Sequence, residues 1–142
     1  MNDGLKISGR LDISLNGEIV QTVDNLVVTA GKTFVAARMA NAASAVMSHM
    51  AIGTGTTAAA AGNTTLVTEN GRVALSAAGG TPSTNTVVYA ATIPAGTGTG
   101  AITEAGVLNA SSAGTLLCRT VFSVVNKAAG DSMTISWTLT VS

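Results

Sequence analysis

The last eleven residues constrain the fold more than any other stretch. Over 132–142 the chain alternates without a fault. Met133, Ile135, Trp137, Leu139 and Val141 fall on one side, and Ser132, Thr134, Ser136, Thr138, Thr140 and Ser142 on the other. A period of two belongs to a strand with one buried and one wetted face, so this segment requires both a sheet to lie in and a second layer to cover it. The amino-terminal end repeats the pattern. Leu5, Ile7, Gly9, Leu11, Ile13 and Leu15 alternate with Lys6, Ser8, Arg10, Asp12 and Ser14. Asn16-Gly17 follows, the pair best suited to the positive φ angles of a type I′ turn, and 18–23 runs back as the second strand of a hairpin.

Between these ends the periodicity changes once. Val35, Met39, Ala42 and Val46 recur at helical spacing, which predicts one short α-helix near 31–43 with Thr29 as its cap. A short strand is expected over 47–52, then an exposed connection over 53–62, rich in Gly, Thr and Ala. Further strands are expected over 72–76 and 86–93, with Gly79-Gly80-Thr81-Pro82 as the turn between them, and over 101–109, 114–125 and 132–142. The 114–125 strand is apolar on both faces, with Leu117, Val121 and Val125 opposed to Leu116, Cys118, Phe122 and Val124, so it is expected to be buried on both sides. Seven or eight strands and one helix describe a mainly β chain. The reading is a single-domain β-sandwich, or jelly-roll-like domain, over 1–142, with 1–23 as a hairpin or arm free to make contacts.

Composition narrows the chemistry. Ala 24, Thr 21, Gly 16 and Ser 12 occupy 73 of 142 positions, aromatic residues number four, and seven basic residues balance seven acidic ones. Scattered cations and zero net charge do not make the footprint that phosphate contacts require, so no nucleic-acid partner is expected. No basic-then-apolar leader and no apolar run of membrane-spanning length appears, so the chain reads as soluble, without a membrane partner. One cysteine and one histidine supply neither a disulfide nor metal-ligand spacing.

The motifs that could carry catalysis are incomplete. Gly31-Lys32-Thr33 ends like a phosphate-binding loop, but Leu26 stands where the first glycine belongs. Gly96 to Gly100 fits a permissive dinucleotide fingerprint, yet a strand rather than a helix is expected after it. Cys118 lies in a buried strand and reads as a core thiol, with His49 as a surface or interface residue. Glu69 and Glu104 could be a glycosidase's carboxylate pair, but the aromatic platforms for sugar are missing. They are better read as ion-pair partners of Arg72 and Arg119. No catalytic, cofactor or metal residue is assigned.

One set of segments is familiar in its order. Met50 to Thr57, then Asn63 to Leu66 with Glu69 and Arg72, then Ile102 to Leu108, Gly114 to Phe122 and Gly130 to Trp137 together resemble small structural proteins of tailed bacteriophages. Such proteins are described as capsid decoration (cement) proteins or as tail and fibre components. The resemblance implies a non-enzymatic virion protein that bridges neighbouring copies of the major capsid protein on the outer capsid surface, as a dimer or trimer, after assembly in the host cytoplasm. A tail, baseplate or fibre module, able to bind host glycans, is the alternative. The expected contacts are Leu5, Ile7, Leu11 and Ile13 on the hairpin and Thr54, Thr56 and Thr57 on the loop.

Overall fold

The computed structural model describes residues 4–41 and 45–142. Ten strands and one helix run in the order β1 (Ile7–Leu15), β2 (Glu18–Asp24), β3 (Leu26–Val27), α1 (Thr29–Met39), β4 (His49–Gly53), β5 (Glu69–Ala74), β6 (Thr81–Ser83), β7 (Thr86–Ile93), β8 (Gly100–Leu108), β9 (Leu116–Lys127) and β10 (Met133–Val141). They form two antiparallel five-stranded sheets, β2-β1-β10-β7-β6 and β3-β9-β8-β4-β5. The protein is a β-sandwich with, among the described residues, a single short helix.

The two alternating segments pair with each other. Nine consecutive residue pairs join β1 to β10, from Ile7 opposite Val141 to Leu15 opposite Met133, and the backbones of Lys6 and Ser142 extend the ladder by two bonds. This register puts Leu11 beside Trp137 and Ile13 beside Ile135, all four without solvent exposure. A side chain of this size contributes about 1.5–3 kcal/mol on full burial, and the row of them fixes the register, because a one-residue slip would turn every apolar group outward. Of the inward set on β10 only Val141, at the strand's end, is exposed. Asn16 and Gly17 take φ of 52° and 86°, as a type I′ turn requires.

The hairpin is therefore part of the core. Leu11 and Ile13 are sealed between the sheets, so neither can touch a partner, and among the described residues the hairpin is laid into the first sheet along β10. Leu5 is exposed and Ile7 half-buried.

The helix lies close to where its spacing placed it but presents another face. Gly31 and Phe34 are buried against the sandwich, while Met39 is 79% exposed. Ala42 and the predicted end at 43 fall outside the described residues. Thr29 is no cap: Val28 precedes the helix without a side-chain bond, and the Thr29 amide donates to the Ala61 carbonyl. What selects the face is the approach to β9, where a β-carbon on Gly31 would collide with the Leu117 carbonyl oxygen. Only glycine lets the helix lie this close, so Gly31 serves packing rather than flexibility.

Two other expectations change. The turn ahead of β7 consists of Gly79 and Gly80, both at positive φ, and Thr81–Ser83 beyond them forms the extra edge strand β6, with the reversal into β7 at positive-φ Thr84. In β9 only the first half is closed on both faces: 116–120 is buried throughout, whereas Ser123, Val124 and Asn126 are exposed. The covering elements β3 and α1 reach no further than that half, since β3 pairs with Cys118 and Arg119 and α1 meets Leu117.

Alanine at position 31 would gain about 1 kcal/mol of helix propensity. It would also drive a methyl group into rigid backbone, at a cost at the upper end of the roughly 1–3 kcal/mol range for overpacking. Gly31→Ala is expected to lower the urea unfolding midpoint, by about 1–2 kcal/mol net. An unchanged or higher midpoint would show that α1 can move off β9.

Candidate functional site

Of the segments that carried the resemblance, all but Gly130 to Trp137, which enters β10 of the first sheet, lie in or against the second sheet. Glu104 on β8 and Arg119 on β9 both project from the outer face of that second sheet, two residues out of direct opposition and so diagonal neighbours on one face, since Glu104 pairs with Val121 and Arg119 with Gly106. Both side chains are completely buried, and Arg119 contacts Glu104 Oε1 at 3.0 Å. Two charges so enclosed are costly unless their remaining hydrogen-bonding capacity is filled.

The chain 54–68 fills it. The amides of Gly55 and Thr68 donate to Glu104 Oε2 at 2.8 and 2.7 Å, and that of Val67 donates to Oε1 at 2.9 Å. Arg119 Nε donates to Glu104 Oε1, Nη1 to Asn63 Oδ1 and Nη2 to the Thr57 carbonyl. Thr103 Oγ1 closes the base by donating to the Gly55 carbonyl at 2.7 Å, and the Thr54 amide bonds the Thr68 carbonyl. Both ends and the middle of an irregular segment are thus tied to one ion pair. Leu66 completes the seal, buried in a small apolar cluster with Val28, Ala51, Leu108 and Leu116.

Glycine at 53 and 55 follows from the same geometry. A β-carbon on Gly55 would strike Glu104 Oε2, and one on Gly53 would strike the Thr68 carbonyl. The Gly-Thr-Gly run reads as flexible in sequence but in the fold admits a carboxylate to the backbone.

Burial pushes the Glu104 carboxyl upward, but the amides of Thr68, Val67 and Gly55 and the Arg119 guanidinium together outweigh it and hold the group below its ordinary 4.5. The ionised form is therefore favoured in the folded protein. Stability linked to Glu104 is fully present above the unfolded carboxyl's value and is lost as pH falls through the lowered folded value.

Glu69 and Arg72 form a second, more exposed tie. Arg72 Nε and Nη2 meet the two carboxylate oxygens at 3.0 and 2.7 Å, and Nη1 donates to the carbonyls of Ala110 and Ala113, joining β5 to the turn between β8 and β9. The two glutamates do not work as a pair, since each belongs to its own arginine. His49 is half-buried with Nδ1 at 2.8 Å from Ser48 Oγ. Cys118 is buried and its thiol is pushed strongly upward by burial, so the reactive thiolate is disfavoured. Among the described residues no group of three or more His, Cys, Asp or Glu could hold a metal ion, and no helix is long and apolar enough to cross a membrane.

What the arrangement presents is a surface. Across 54–68 there is no charged residue, and Thr56, Thr57, Ala58, Thr64, Thr65 and Val67 are exposed, with Thr54 half-buried. The sequence reading named the threonines but missed Asn63, Thr103 and the backbone amides that hold them. Charge gives no local signal for them, because 39–68 and 73–103 both lack Asp, Glu, Lys and Arg.

The family described as phage tail-collar fibre protein, N-terminal, matches residues 20–142. No curated protein and no solved structure matches.

Removing the Glu104 charge would leave Arg119 buried and uncompensated. Glu104→Gln is expected to cost about 3–5 kcal/mol of stability at neutral pH, while Glu104→Met with Arg119→Met costs clearly less than either single change. Urea unfolding of Glu104→Gln, Glu104→Met, Arg119→Met and the double variant checks this. In the intact protein the unfolding free energy should fall on acidification below about pH 4–5, and Glu104→Met/Arg119→Met should flatten that dependence. A double variant as damaged as the singles would show that the pair is not coupled.

Proposed function

This chain belongs to the phage tail-collar fibre N-terminal family, and we propose on that premise that it is a non-catalytic tail module that docks onto a tail-associated partner through the clamped segment 54–68. A bacteriophage structural protein was the expectation from sequence, and the family bears that out. Between the two locations weighed there, the family favours the tail. The cement role, the major capsid protein as partner and a place on the outer capsid surface have no support in it.

The observation that carries the proposal is the buried Glu104–Arg119 pair holding an uncharged, exposed segment to one path. A contact surface ordered before it meets its partner loses little conformational entropy on binding, which favours tight docking. Threonine hydroxyls and small alanine side chains suit a flat partner surface with its own hydrogen-bonding groups. Absence of catalysis is part of the proposal. Its support is that each acidic side chain considered for general acid or base work is committed to an arginine.

Two measurements on purified virions test this. Immunogold labelling is expected on the tail, with few to dozens of copies per particle on a denaturing gel; labelling of the shell at hundreds of copies would overturn the tail assignment. Thr57→Arg with Thr64→Arg should leave the unfolding midpoint nearly unchanged, since both side chains are exposed, yet reduce incorporation at least about tenfold. Normal incorporation would exclude 54–68 as the docking surface. Release of soluble sugar from cell-wall polymer by the unmodified protein would refute the non-catalytic reading.

A further inference from the structure

The two ends of the amino-terminal hairpin are chemically complementary, and one molecule cannot join them. At the entry to β1, Leu5, Lys6, Ile7, Ser8 and Lys32 line a hollow of about 420 Å³. Leu5 is 69% exposed, and Val141, the register partner of Ile7, is 40% exposed. Among the described residues neither lysine forms an ion pair. The hollow therefore offers aliphatic wall flanked by two ammonium groups.

At the far end, just past the Asn16-Gly17 turn, Glu18 is exposed, also without an ion pair among the described residues, and Ile19 and Val20 beside it are 61% and 45% exposed. A carboxylate next to two aliphatic side chains is the counterpart of that hollow. The nine residues of β1 separate the two features, a distance of about 30 Å at roughly 3.3 Å per residue, so they can meet only between copies.

We propose that the hollow lined by Leu5, Lys6 and Lys32 receives the Glu18–Ile19–Val20 corner of a second copy of this chain. Burial of the aliphatic groups drives the contact, and the carboxylate between two ammonium groups sets its direction. The contact is head-to-tail, so it propagates to a ring or a filament rather than closing as a dimer. Symmetric pairing of two β2 edges is the competing use of the same residues. In full antiparallel overlap it sets Glu18 against Asp24 twice, and directly opposed like charges are unfavourable. This inference concerns contacts between copies and stands apart from the docking of 54–68 onto another protein.

Sedimentation velocity on the full chain tests it, over about 10–200 μM and at low and high salt. Association that rises with concentration and weakens in salt is expected. Glu18→Lys alone, and Lys6→Glu with Lys32→Glu, should each weaken it at least about tenfold. Mixing those two variants should restore association, because each hollow then finds a corner of opposite charge. All three positions are exposed, and thermal melts will show that the variants fold. A chain that stays monomeric across the range, a closed dimer, or association indifferent to the charge reversals and their mixing would each overturn the proposal.

Discussion

The buried contact between Glu104 and Arg119 is the constraint on which the outer half of the second sheet depends. Paired strands β8 and β9 bring the two residues to a face that would otherwise be open, and neither charge can remain there dry without further partners. Water could have supplied those partners at an exposed face. Instead the segment 54–68 does, with three backbone amides on the carboxylate and, on the guanidinium, the Thr57 carbonyl and the Asn63 side-chain amide oxygen. Replacing such a pair by apolar residues often costs little, so its value here lies less in net stability than in selection of a single path for a segment with no ladder of its own.

That path gives the molecule its usable surface. Small side chains are a requirement of the geometry, because glycines at 53 and 55 let the carboxylate reach the main chain and Gly31 lets α1 settle on β9. The same economy of size puts an uncharged threonine and alanine surface outward along 54–68. The hairpin is charged at its two ends where the loop is neutral, so the two proposed contacts, one between copies and one with another protein, fall on chemically different surfaces.

The parts legible in the sequence were those governed by local periodicity. β10, the β1–β2 hairpin and its turn, and the position of the one helix followed from spacing and from Asn16-Gly17. The partnership of Glu69 with Arg72 could be named because they stand three positions apart, close enough for opposite charges to meet in any local structure. The helix face was misread because the stripe of Val35, Met39 and Val46 gave a stronger apolar signal than Gly31 and Phe34, whereas a close crossing rewards the smallest residue. Segment 53–62 reads only as an exposed connection for a related reason: its order comes from residues more than forty positions away.

By itself, then, the chain determined that it would form an antiparallel sandwich with a strongly specified register, since alternation of apolar and polar side chains is a short-range property that only one pairing can bury. Tertiary structure alone decided which polar groups became interior and which loop became rigid. Enclosure of Glu104 and Arg119 arises only when strands β8 and β9 and the segment 54–68 meet in space, and no local pattern encodes the desolvation that results.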